Sequence, residues 1–414
     1  MKISIVGTGY VGLVTGLCFA DLGHTLSFID IDQEKIQLLK NKKLPIFEKD
    51  LDTLLQNNDF VITSDYQKGI SDAELIFLCV GTPLLKEKLL DLTFIKEACK
   101  NIGQCLHRDQ IVVVKSTVVP RTTEEVLIPI LQDKSDMSES KDFFVVVNPE
   151  FLREGNAVYD FLHPDRIVIG SNGNVIKIKQ LYHDFSCPKI FTDLKTAEMI
   201  KCASNAFLAT KISFINEIGN ICKKLEIDVY KVAEGIGYDT RIGRAFLNAG
   251  VGWGGSCFPK DVIALIRKAQ EVNEKSLILE SVVAVNETQP LKVLTLLKKH
   301  IPKLKGKVIG ILGLSFKPDT DDIRESRSSI IVKELLKEGA HIKAYDPMAM
   351  ENFRKVFPEI TYCPAKEVLS SDAILLLTNW QEFESLKYTE KLVIDGRKIQ
   401  KAQKDSTYYE GICW

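Results

Sequence analysis

The sequence has almost no net charge and no long apolar run. Its 54 Lys and Arg residues face 55 Asp and Glu residues, which leaves a formal net charge of -1. A chain so close to neutrality has no global field that would draw it to nucleic acid or to an anionic membrane. No stretch approaches the roughly 18 consecutive apolar residues that a transmembrane helix needs. These absences argue against a nucleic-acid or membrane partner, and any polyanion site must be local.

The N-terminal segment and the cysteines predict a cytoplasmic location. Residues 1–12 lead from one Lys into a strand pattern and a glycine turn, without the apolar core and cleavage site of a signal peptide. The 10 Cys residues are scattered, with no CxxC pair and no metal-type spacing. We therefore expect reduced thiols, mostly buried as small hydrophobes, and no metal site. Only Cys257 has surroundings that indicate another role.

Hydrophobic periodicity predicts three segments, as the length of 414 residues favours. Residues 1–195 alternate β-branched runs with amphipathic stretches, which is typical of a parallel sheet covered on both faces. Residues 196–300 are helical and open with one long helix, marked by apolar residues spaced three and four apart. Residues 301–414 begin a second βαβ pattern. The predicted fold class is α/β, with two Rossmann-like doubly wound parallel-sheet domains joined by a central helical domain.

A glycine-rich turn follows the first predicted strand. Gly7, Gly9 and Gly12 have the spacing GxGxxG, a helix follows, and the next strand ends in Asp30. In this order Gly7 makes the turn, Gly9 admits a pyrophosphate and Gly12 allows close helix packing. Asp30 would accept hydrogen bonds from the adenosine ribose and disfavour a 2′-phosphate, so NAD is expected over NADP. The alternative is a turn that binds no ligand.

Small polar residues follow two further strands of the same segment, in Val80–Pro83 and in Lys115–Val118. Ligands of parallel sheets bind at the carboxyl ends of the strands, so these residues are expected to line one crevice with the glycine turn. Each segment is equally typical of a simple strand-to-helix cap.

The densest signal is the run Gly252–Asp261, which holds Cys257. Pro259 is suited to the first turn of a helix, which would place Cys257 just before the helix N-terminus. The helix dipole and the ammonium of Lys260 would both favour the nucleophilic thiolate. The alternative is a buried structural cysteine beside a glycine turn.

Two other places carry polar groups suited to a site. Lys201 and Asn205 are four residues apart on the long helix and share a face with small apolar neighbours, so a buried lysine could stabilise an oxyanion. A solvated surface lysine is the alternative. Asn148–Gly155 ends a strand with two carboxylates and a guanidinium, where a helix capping box is the competing interpretation.

The last segment offers basic residues on loops after strands, in Phe316–Ser326 and in Asp395–Arg397. Directed at one cleft, they would suit a diphosphate. Surface ion pairs are the alternative for each arginine taken singly.

Together these motifs resemble the UDP-glucose/GDP-mannose dehydrogenase family, and within it the UDP-glucose 6-dehydrogenases. The resemblance spans the chain and rests on the segments GTGYVG (7–12), NPEFLREG (148–155), KCASNAF (201–207), GWGGSCFPKD (252–261), FKPDTDDIRES (316–326) and DGR (395–397). It implies a cytoplasmic NAD-dependent homodimer or higher homo-oligomer that supplies UDP-glucuronate for polysaccharide precursors.

The resemblance also implies a set of site residues. Those that would bind NAD are Gly7, Gly9, Tyr10, Val11, Gly12, Asp30, Lys35, Gly81, Thr82, Pro83, Ser116, Thr117, Glu154, Lys260 and Arg324. Those that would bind UDP-glucose are Glu150, Phe151, Leu152, Arg153, Glu154, Lys201, Asn205, Arg241, Asn248, Gly252, Trp253, Gly254, Lys317 and Arg397. Arg241 would reach the substrate of the neighbouring subunit, with the long helix in the contact between subunits.

The implied reaction removes two hydrides from one carbon. Attack of the Cys257 thiolate on the aldehyde gives a thiohemiacetal, oxidation gives a thioester, and water releases the carboxylate. Lys201 and Asn205 would stabilise the oxyanions. Asp261 and Glu150, with Thr117, are candidates for proton transfer and for positioning water.

Two segments depart from the family pattern, and three alternatives stay open. Residues 84–91 are more apolar than expected, and Tyr408–Trp414 has no assigned role. The first alternative is a dehydrogenase of GDP-mannose or of an N-acetylhexosamine nucleotide. The second is a two-electron hydroxyacid dehydrogenase, which would not need Cys257. The third is an NAD-sensing regulatory dimer without catalysis.

Overall fold

The structure is a computed structural model that describes residues 1–85 and 87–414. Lys86, inside the unusual segment 84–91, lies outside the described residues. The chain forms two compact units, Met1–Ser204 with Ile263–Val272, and Asn205–Val262 with Asn273–Trp414. In the part of the chain that is described, no helix combines the length and the apolar composition needed to cross a membrane.

The first unit is built on an eight-stranded sheet with the order β3-β2-β1-β4-β5-β6-β7-β8. All neighbours are parallel except β6 and β7, which run antiparallel. Its strands are β1 Lys2–Val6, β2 Thr25–Ile29, β3 Phe60–Thr63, β4 Leu75–Leu78, β5 Ile111–Val114, β6 Phe144–Val147, β7 Ile167–Ser171 and β8 Lys189–Thr192. The central strands β4 and β5 are buried along their whole length because helices cover both faces.

Helices connect these strands. They are α1 Tyr10–Asp21, α2 Gln33–Lys40, α3 Leu51–Asn57, α4 Tyr66–Ile70, α5 Thr93–Cys105, α6 Ile128–Ser135, α7 Ala157–Leu162 and α8 Ile176–Leu181, with a π-helical turn at Thr123–Leu127. Chain order reverses beside β1, whose neighbours are β2 and β4. This reversal opens a crevice at the carboxyl end of β1, where the glycine turn lies.

The second unit combines helices with a six-stranded parallel sheet, in the order β11-β10-β9-β12-β13-β14. Its strands are β9 Val308–Leu312, β10 His341–Tyr345, β11 Thr361–Tyr362, β12 Ala373–Leu376, β13 Leu392–Asp395 and β14 Tyr408–Gly411. The remaining helices of the chain are α9 Leu194–Lys224, α10 Val229–Gly237, α11 Phe258–Glu271, α12 Leu277–Thr288, α13 Leu291–His300, α14 Arg327–Lys337, α15 Met350–Arg354, α16 Ala365–Val368 and α17 Gln400–Asp405, with a 3₁₀ turn at Gln381–Ser385. Helices α9 and α11 each contribute residues to both units.

The predicted fold class is confirmed, with two corrections of detail. The first sheet is mixed rather than wholly parallel, because the chain turns back after α7 and enters β7 beside β6. Three strands went unpredicted: β8 and β14 at sheet edges and the two-residue β11. The segment Tyr408–Trp414 therefore has a structural role, since β14 extends the second sheet and Cys413 is buried.

Candidate active site

The glycine turn after β1 is shaped by close backbone contacts. Gly7 has a φ of +97°, and a β-carbon there would lie 3.0 Å from the Cys79 carbonyl oxygen. A β-carbon on Gly12 would lie 1.9 Å from the Gly7 carbonyl oxygen, so no larger residue fits. Gly9, by contrast, has no atom within 4 Å of such a position. The turn is packed tightly on one side and open on the other.

The open side suits a dinucleotide. Gly9 is the N-cap of α1 and provides no side-chain cap, so the first amides of the helix face that opening. Amide donors at a helix N-terminus, with the positive end of the helix dipole, bind pyrophosphate well. The residues present therefore fit the nucleotide cofactor that the sequence pattern indicates.

Asp30 organises this turn directly. Its Oδ2 accepts hydrogen bonds from the Thr8 amide at 2.7 Å and from the Thr8 hydroxyl at 2.5 Å. Burial raises the pKa of Asp30, but these hydrogen bonds outweigh burial and hold the pKa below its ordinary value. The carboxylate is thus charged at neutral pH, which disfavours a 2′-phosphate nearby. Thr8 lies inside the predicted glycine turn, but the sequence pattern gave its side chain no role of its own.

The loops after β4 and β5 are joined to each other. The Ser116 hydroxyl donates to the Val80 carbonyl oxygen at 2.6 Å, and the Thr82 hydroxyl donates to the Thr117 carbonyl oxygen at 2.7 Å. These hydroxyls bind loop carbonyls rather than the free amides of a helix, which is not the pattern of an N-cap. Gly7 packs against Val80 as well, so the three predicted loops border one crevice, as expected.

A buried ion pair lies in the same unit. The Lys201 ammonium donates to Glu150 Oε1 at 2.8 Å, and Lys201 is only 3% exposed. Burial raises the pKa of Glu150, but the Lys201 charge and hydrogen bond, with the Leu152 amide, outweigh burial and lower the pKa. Lys201 is therefore not a solvated surface lysine. Nor does Glu150 form a capping box, since its carboxylate binds Leu152 and α7 begins only at Ala157.

Lys115 is a second buried lysine in this region, at the end of β5. Its ammonium donates to Asn148 Oδ1 at 3.0 Å, and the Tyr182 hydroxyl donates to the same oxygen at 2.6 Å. Burial lowers the pKa of Lys115 to about 8. Its charge adds to that of Lys201 in holding Glu150 ionised. The sequence pattern gave Lys115 no role, because a lysine at a strand end looks like a surface residue.

Other predicted residues of the first unit make mostly local contacts. Arg153 binds Asp160 at 2.5 Å and is largely exposed, in a surface ion pair that the sequence pattern did not predict. Lys35 lies 3.8 Å from Asp32. The Tyr10 hydroxyl donates to Glu48. Glu154 is partly buried in the loop before α7.

In the second unit, Cys257 directly precedes α11, as predicted. The Asp261 amide donates to the Cys257 carbonyl oxygen at 2.9 Å, which closes the first turn of the helix. Of the 10 free cysteines seven are buried, whereas Cys257 is partly exposed. A thiol at a helix N-terminus is stabilised as thiolate by the helix dipole. A merely structural cysteine would gain nothing from this position.

Asp261 is the centre of a buried polar cluster. The Asn205 amide donates to its Oδ2 at 2.6 Å, and the Lys260 ammonium donates to its Oδ1 at 2.5 Å. Asp261 is only 1% exposed. Each carboxylate oxygen thus has its own partner, which fixes the side chain one helical turn beyond Cys257.

The glycine loop before Cys257 is held by residues far away in sequence. Asn286 accepts the Trp253 amide at 2.8 Å and donates to the Trp253 carbonyl oxygen at 3.0 Å. The Trp253 indole donates to Ser213 Oγ at 2.9 Å. A β-carbon on Gly254 would lie 2.1 Å from the Glu325 carbonyl oxygen. The sequence pattern identified the loop but not Asn286 or Ser213, which fix its shape.

The predicted basic residues of the second unit are either partly buried or exposed in surface ion pairs. Arg397 Nε donates to the Leu377 carbonyl oxygen at 2.8 Å, and Arg397 and Asn248 line an open cleft of ≈ 560 Å³. Lys317 is partly buried, 5.9 Å from the ring centre of Phe316.

Two other predicted arginines form surface ion pairs with close neighbours. Arg324 binds Asp322 at 2.7 Å and Arg241 binds Asp239 at 2.6 Å. Both guanidinium groups are largely exposed, which for Arg324 is the arrangement that the surface ion-pair alternative expects.

The strand order, the glycine turn and Asp30 define a dinucleotide-binding α/β protein. Models of the UDP-glucose/GDP-mannose dehydrogenase family match it in succession: the NAD binding domain over residues 1–186, the central domain over 195–288 and the UDP binding domain over 310–402. The chain belongs to this family, and the predicted cofactor, NAD, is confirmed.

Individual relatives agree with this assignment. The chain is 42% identical to UDP-glucose 6-dehydrogenase TuaD of Bacillus subtilis, over 96% of this chain and 89% of that protein. The structure of a UDP-glucose dehydrogenase from Pyrobaculum islandicum superposes with a TM-score of 0.96 at 37% identity, covering 100% of this chain and 98% of that one. A UDP-D-ManNAc dehydrogenase from Pyrococcus horikoshii superposes with a TM-score of 0.89 at 26% identity, covering 100% and 99%.

Proposed function

We propose that the protein oxidises carbon 6 of UDP-glucose to a carboxylate with NAD, through a covalent intermediate on Cys257. The observation that carries the proposal is the placement of a partly exposed thiol at the N-terminus of α11, one turn before the buried Asp261. Relatives named UDP-glucose 6-dehydrogenase support the choice of substrate. The residues assigned to cofactor and substrate above are part of this proposal.

The chemistry follows from what the side chains can do. NAD, when bound, accepts a hydride from carbon 6 in each of the two oxidations. After the first, the Cys257 thiolate adds to the aldehyde carbon and forms a carbon–sulfur bond, giving a thiohemiacetal. The second oxidation converts the thiohemiacetal to a thioester on Cys257. Water then attacks the carbonyl carbon, the carbon–sulfur bond breaks, and the carboxylate and the free thiol are released.

Five polar residues assist these steps. Lys201 and Asn205 donate hydrogen bonds to the oxyanion of the tetrahedral species. Asp261 and Glu150, with Thr117, hold and transfer the protons and place the water. The ion pair of Lys201 with Glu150 supports this assignment, since it holds the ammonium in a buried position from which it can donate to a developing oxyanion.

We propose further that the chain acts as a homodimer that pairs through α9. Phe207 is 65% exposed, and Phe214 and Ile221 are each 51% exposed, at intervals of seven residues along this helix. A stripe repeating every seven residues is the pattern by which two helices pair. In the dimer, the exposed Arg241 would serve the partner's substrate.

The location and the domain limits belong to the same proposal. A cytoplasmic location is supported by the 10 free thiols, which suit a reducing compartment. The three functional segments are residues 1–195, 196–300 and 301–414.

A substrate panel tests the proposed activity. Purified protein is supplied with NAD and, separately, with UDP-glucose, GDP-mannose and UDP-N-acetylglucosamine, beside a Cys257→Ser variant and a control Cys187→Ser, which changes another partly exposed thiol. We expect turnover of UDP-glucose alone, lost in Cys257→Ser and retained in Cys187→Ser. Turnover of a different nucleotide sugar would transfer the proposal to that substrate. Full steady-state turnover by Cys257→Ser would favour a two-electron hydroxyacid dehydrogenase.

A further inference from the structure

Glu48 is a buried carboxylate outside every motif described so far. It lies between α2 and α3, far from the glycine turn and from Glu150 in sequence, and it is only 4% exposed. Its Oε2 accepts the Gly155 amide at 2.7 Å, and its Oε1 accepts the Ala157 amide at 2.8 Å. The hydroxyl of Tyr10 donates to Oε2 as well. One carboxylate therefore binds three donors.

Those donors come from the two segments assigned to the cofactor and the substrate. Tyr10 directly follows Gly9 and is the first residue of α1. Gly155 directly follows Glu154, and its amide also lies 3.2 Å from the Tyr10 hydroxyl. Gly155 has a φ of +81°, so this point of the chain is a tight turn that needs its amide fixed. Glu48 thus connects the glycine turn with the loop that carries Glu150 and Glu154.

The same loop has a second, separate anchor. Asp160 accepts the Arg153 amide at 2.9 Å and the Asn156 side-chain amide at 2.8 Å, all within one stretch of chain. Those contacts shape the loop locally but do not connect it to the glycine turn. The connection to Tyr10 runs through Glu48 and through the hydrogen bond that the Gly155 amide donates to the Tyr10 hydroxyl, across more than 100 residues of sequence.

We propose that Glu48 is a positioning residue, which sets the distance between the glycine turn and the loop 150–155 and thereby couples NAD binding to substrate binding. The proposal rests on the function proposed above. Glu48 touches neither NAD nor substrate; it acts through Tyr10 and through the amides of Gly155 and Ala157. Disturbing it should shift Glu154 relative to the glycine turn while the sheet stays intact.

The test compares Glu48→Gln and Tyr10→Phe with a matched control, Glu97→Gln. Glutamine has the shape of glutamate but only one acceptor oxygen, so one buried amide loses its partner. Phenylalanine at position 10 removes the hydroxyl and leaves the two amide hydrogen bonds to Glu48 in place. Glu97 is exposed on α5 and pairs with Lys100 at 3.1 Å, away from the site. Calorimetry of NAD binding is the first readout, because it needs no turnover.

We expect Glu48→Gln to weaken NAD binding about tenfold, because the free protein can relieve the unsatisfied donor by moving the glycine turn, and NAD binding must then restore that turn at a cost of roughly 1.4 kcal/mol, the equivalent of a factor of ten. Tyr10→Phe should weaken it about threefold to fivefold, and the double variant should be little worse than Glu48→Gln alone, because both changes break the same connection. In kinetics, KM for NAD and KM for UDP-glucose should both rise in Glu48→Gln. Glu97→Gln should match the unmodified protein.

Several outcomes would overturn the proposal. Unchanged NAD affinity in a folded Glu48→Gln, with only a lower unfolding midpoint, would make Glu48 a structural residue. If Glu48→Gln does not fold, Tyr10→Phe decides, and unchanged affinity in that variant refutes the coupling. Absence of turnover by the unmodified protein with UDP-glucose would instead refute the proposed function, while NAD affinity would still report on Glu48.

Discussion

Glu198 lies on α9, one turn before Lys201, and its carboxylate anchors the chain that follows the β5 loop. It accepts the Arg121 amide at 2.6 Å and the Thr123 amide at 2.9 Å while only 2% exposed. Burial raises the pKa of Glu198 from 4.5 to about 7, although those hydrogen bonds oppose the shift and the nearby charge of Glu124 adds to it. The ionisation of Glu198 should therefore make the free energy of unfolding depend on pH.

The sign follows from proton linkage. Because the folded pKa lies above the unfolded pKa, the unfolded chain releases its proton first as pH rises. The stability that Glu198 contributes is therefore fully present below about pH 4.5 and is lost as pH rises through about 7, the pKa of this group in the folded protein. The difference of about 2.5 between the two pKa values corresponds to roughly 3 kcal/mol at 1.36 kcal/mol for each. Glutamine cannot ionise, so Glu198→Gln should lack this loss.

Urea unfolding of both proteins at several pH values between 4.5 and 8 measures the effect. The free energy of unfolding of Glu198→Gln, relative to the unmodified protein, should rise by about 3 kcal/mol over this range. At low pH the variant should be less stable by roughly 1 kcal/mol, because its amide NH₂ faces a backbone donor. The other titratable groups contribute equally in both proteins, so their contributions cancel in the difference between the two free energies of unfolding. Glu97→Gln serves as the control. Parallel stability curves for the two proteins would refute the reasoning.

Four further predictions follow from the site. Lys201→Met should lower kcat by roughly 10²–10³ through loss of an oxyanion donor, and should shift the acid limb of the pH–rate profile upward because Glu150 loses the charge that lowers its pKa. Cys257→Ser should form no thioester, which intact-mass measurement of protein quenched during turnover would detect in the unmodified protein alone. Asp30→Ser should narrow the preference for NAD over NADP, measured as the ratio of kcat/KM values. Phe214→Glu should convert a dimer to a monomer in sedimentation, with little change in unfolding midpoint.

Local backbone patterns were predictable from the sequence. The turn at Gly7–Gly12 and the placement of Cys257 before α11 depend on glycine, proline and the residues beside them, so the sequence displays them directly. The residues that hold these segments in place could not be predicted in the same way. Glu48, Asn286 and Lys115 act through contacts with residues distant along the chain, and no local pattern marks them.

Strand prediction met the same limit. The sequence pattern gave Tyr408–Trp414 no role, and only the pairing of β14 with β13 makes its first four residues a strand. The antiparallel entry of β7 likewise depends on which neighbour it meets, since its own residues fit either direction. The surface ion pairs of Arg324 and Arg241 show a further limit, because a sequence motif does not fix where a long side chain points.

The stoichiometry of the reaction tests the central claim most directly. UDP-glucose is supplied in limiting amount with NAD in excess, and the NADH formed is measured against the UDP-glucose consumed. The account predicts two NADH for each UDP-glucose, because Cys257 holds the aldehyde for a second oxidation. One NADH for each UDP-glucose, with free aldehyde as product, would contradict it.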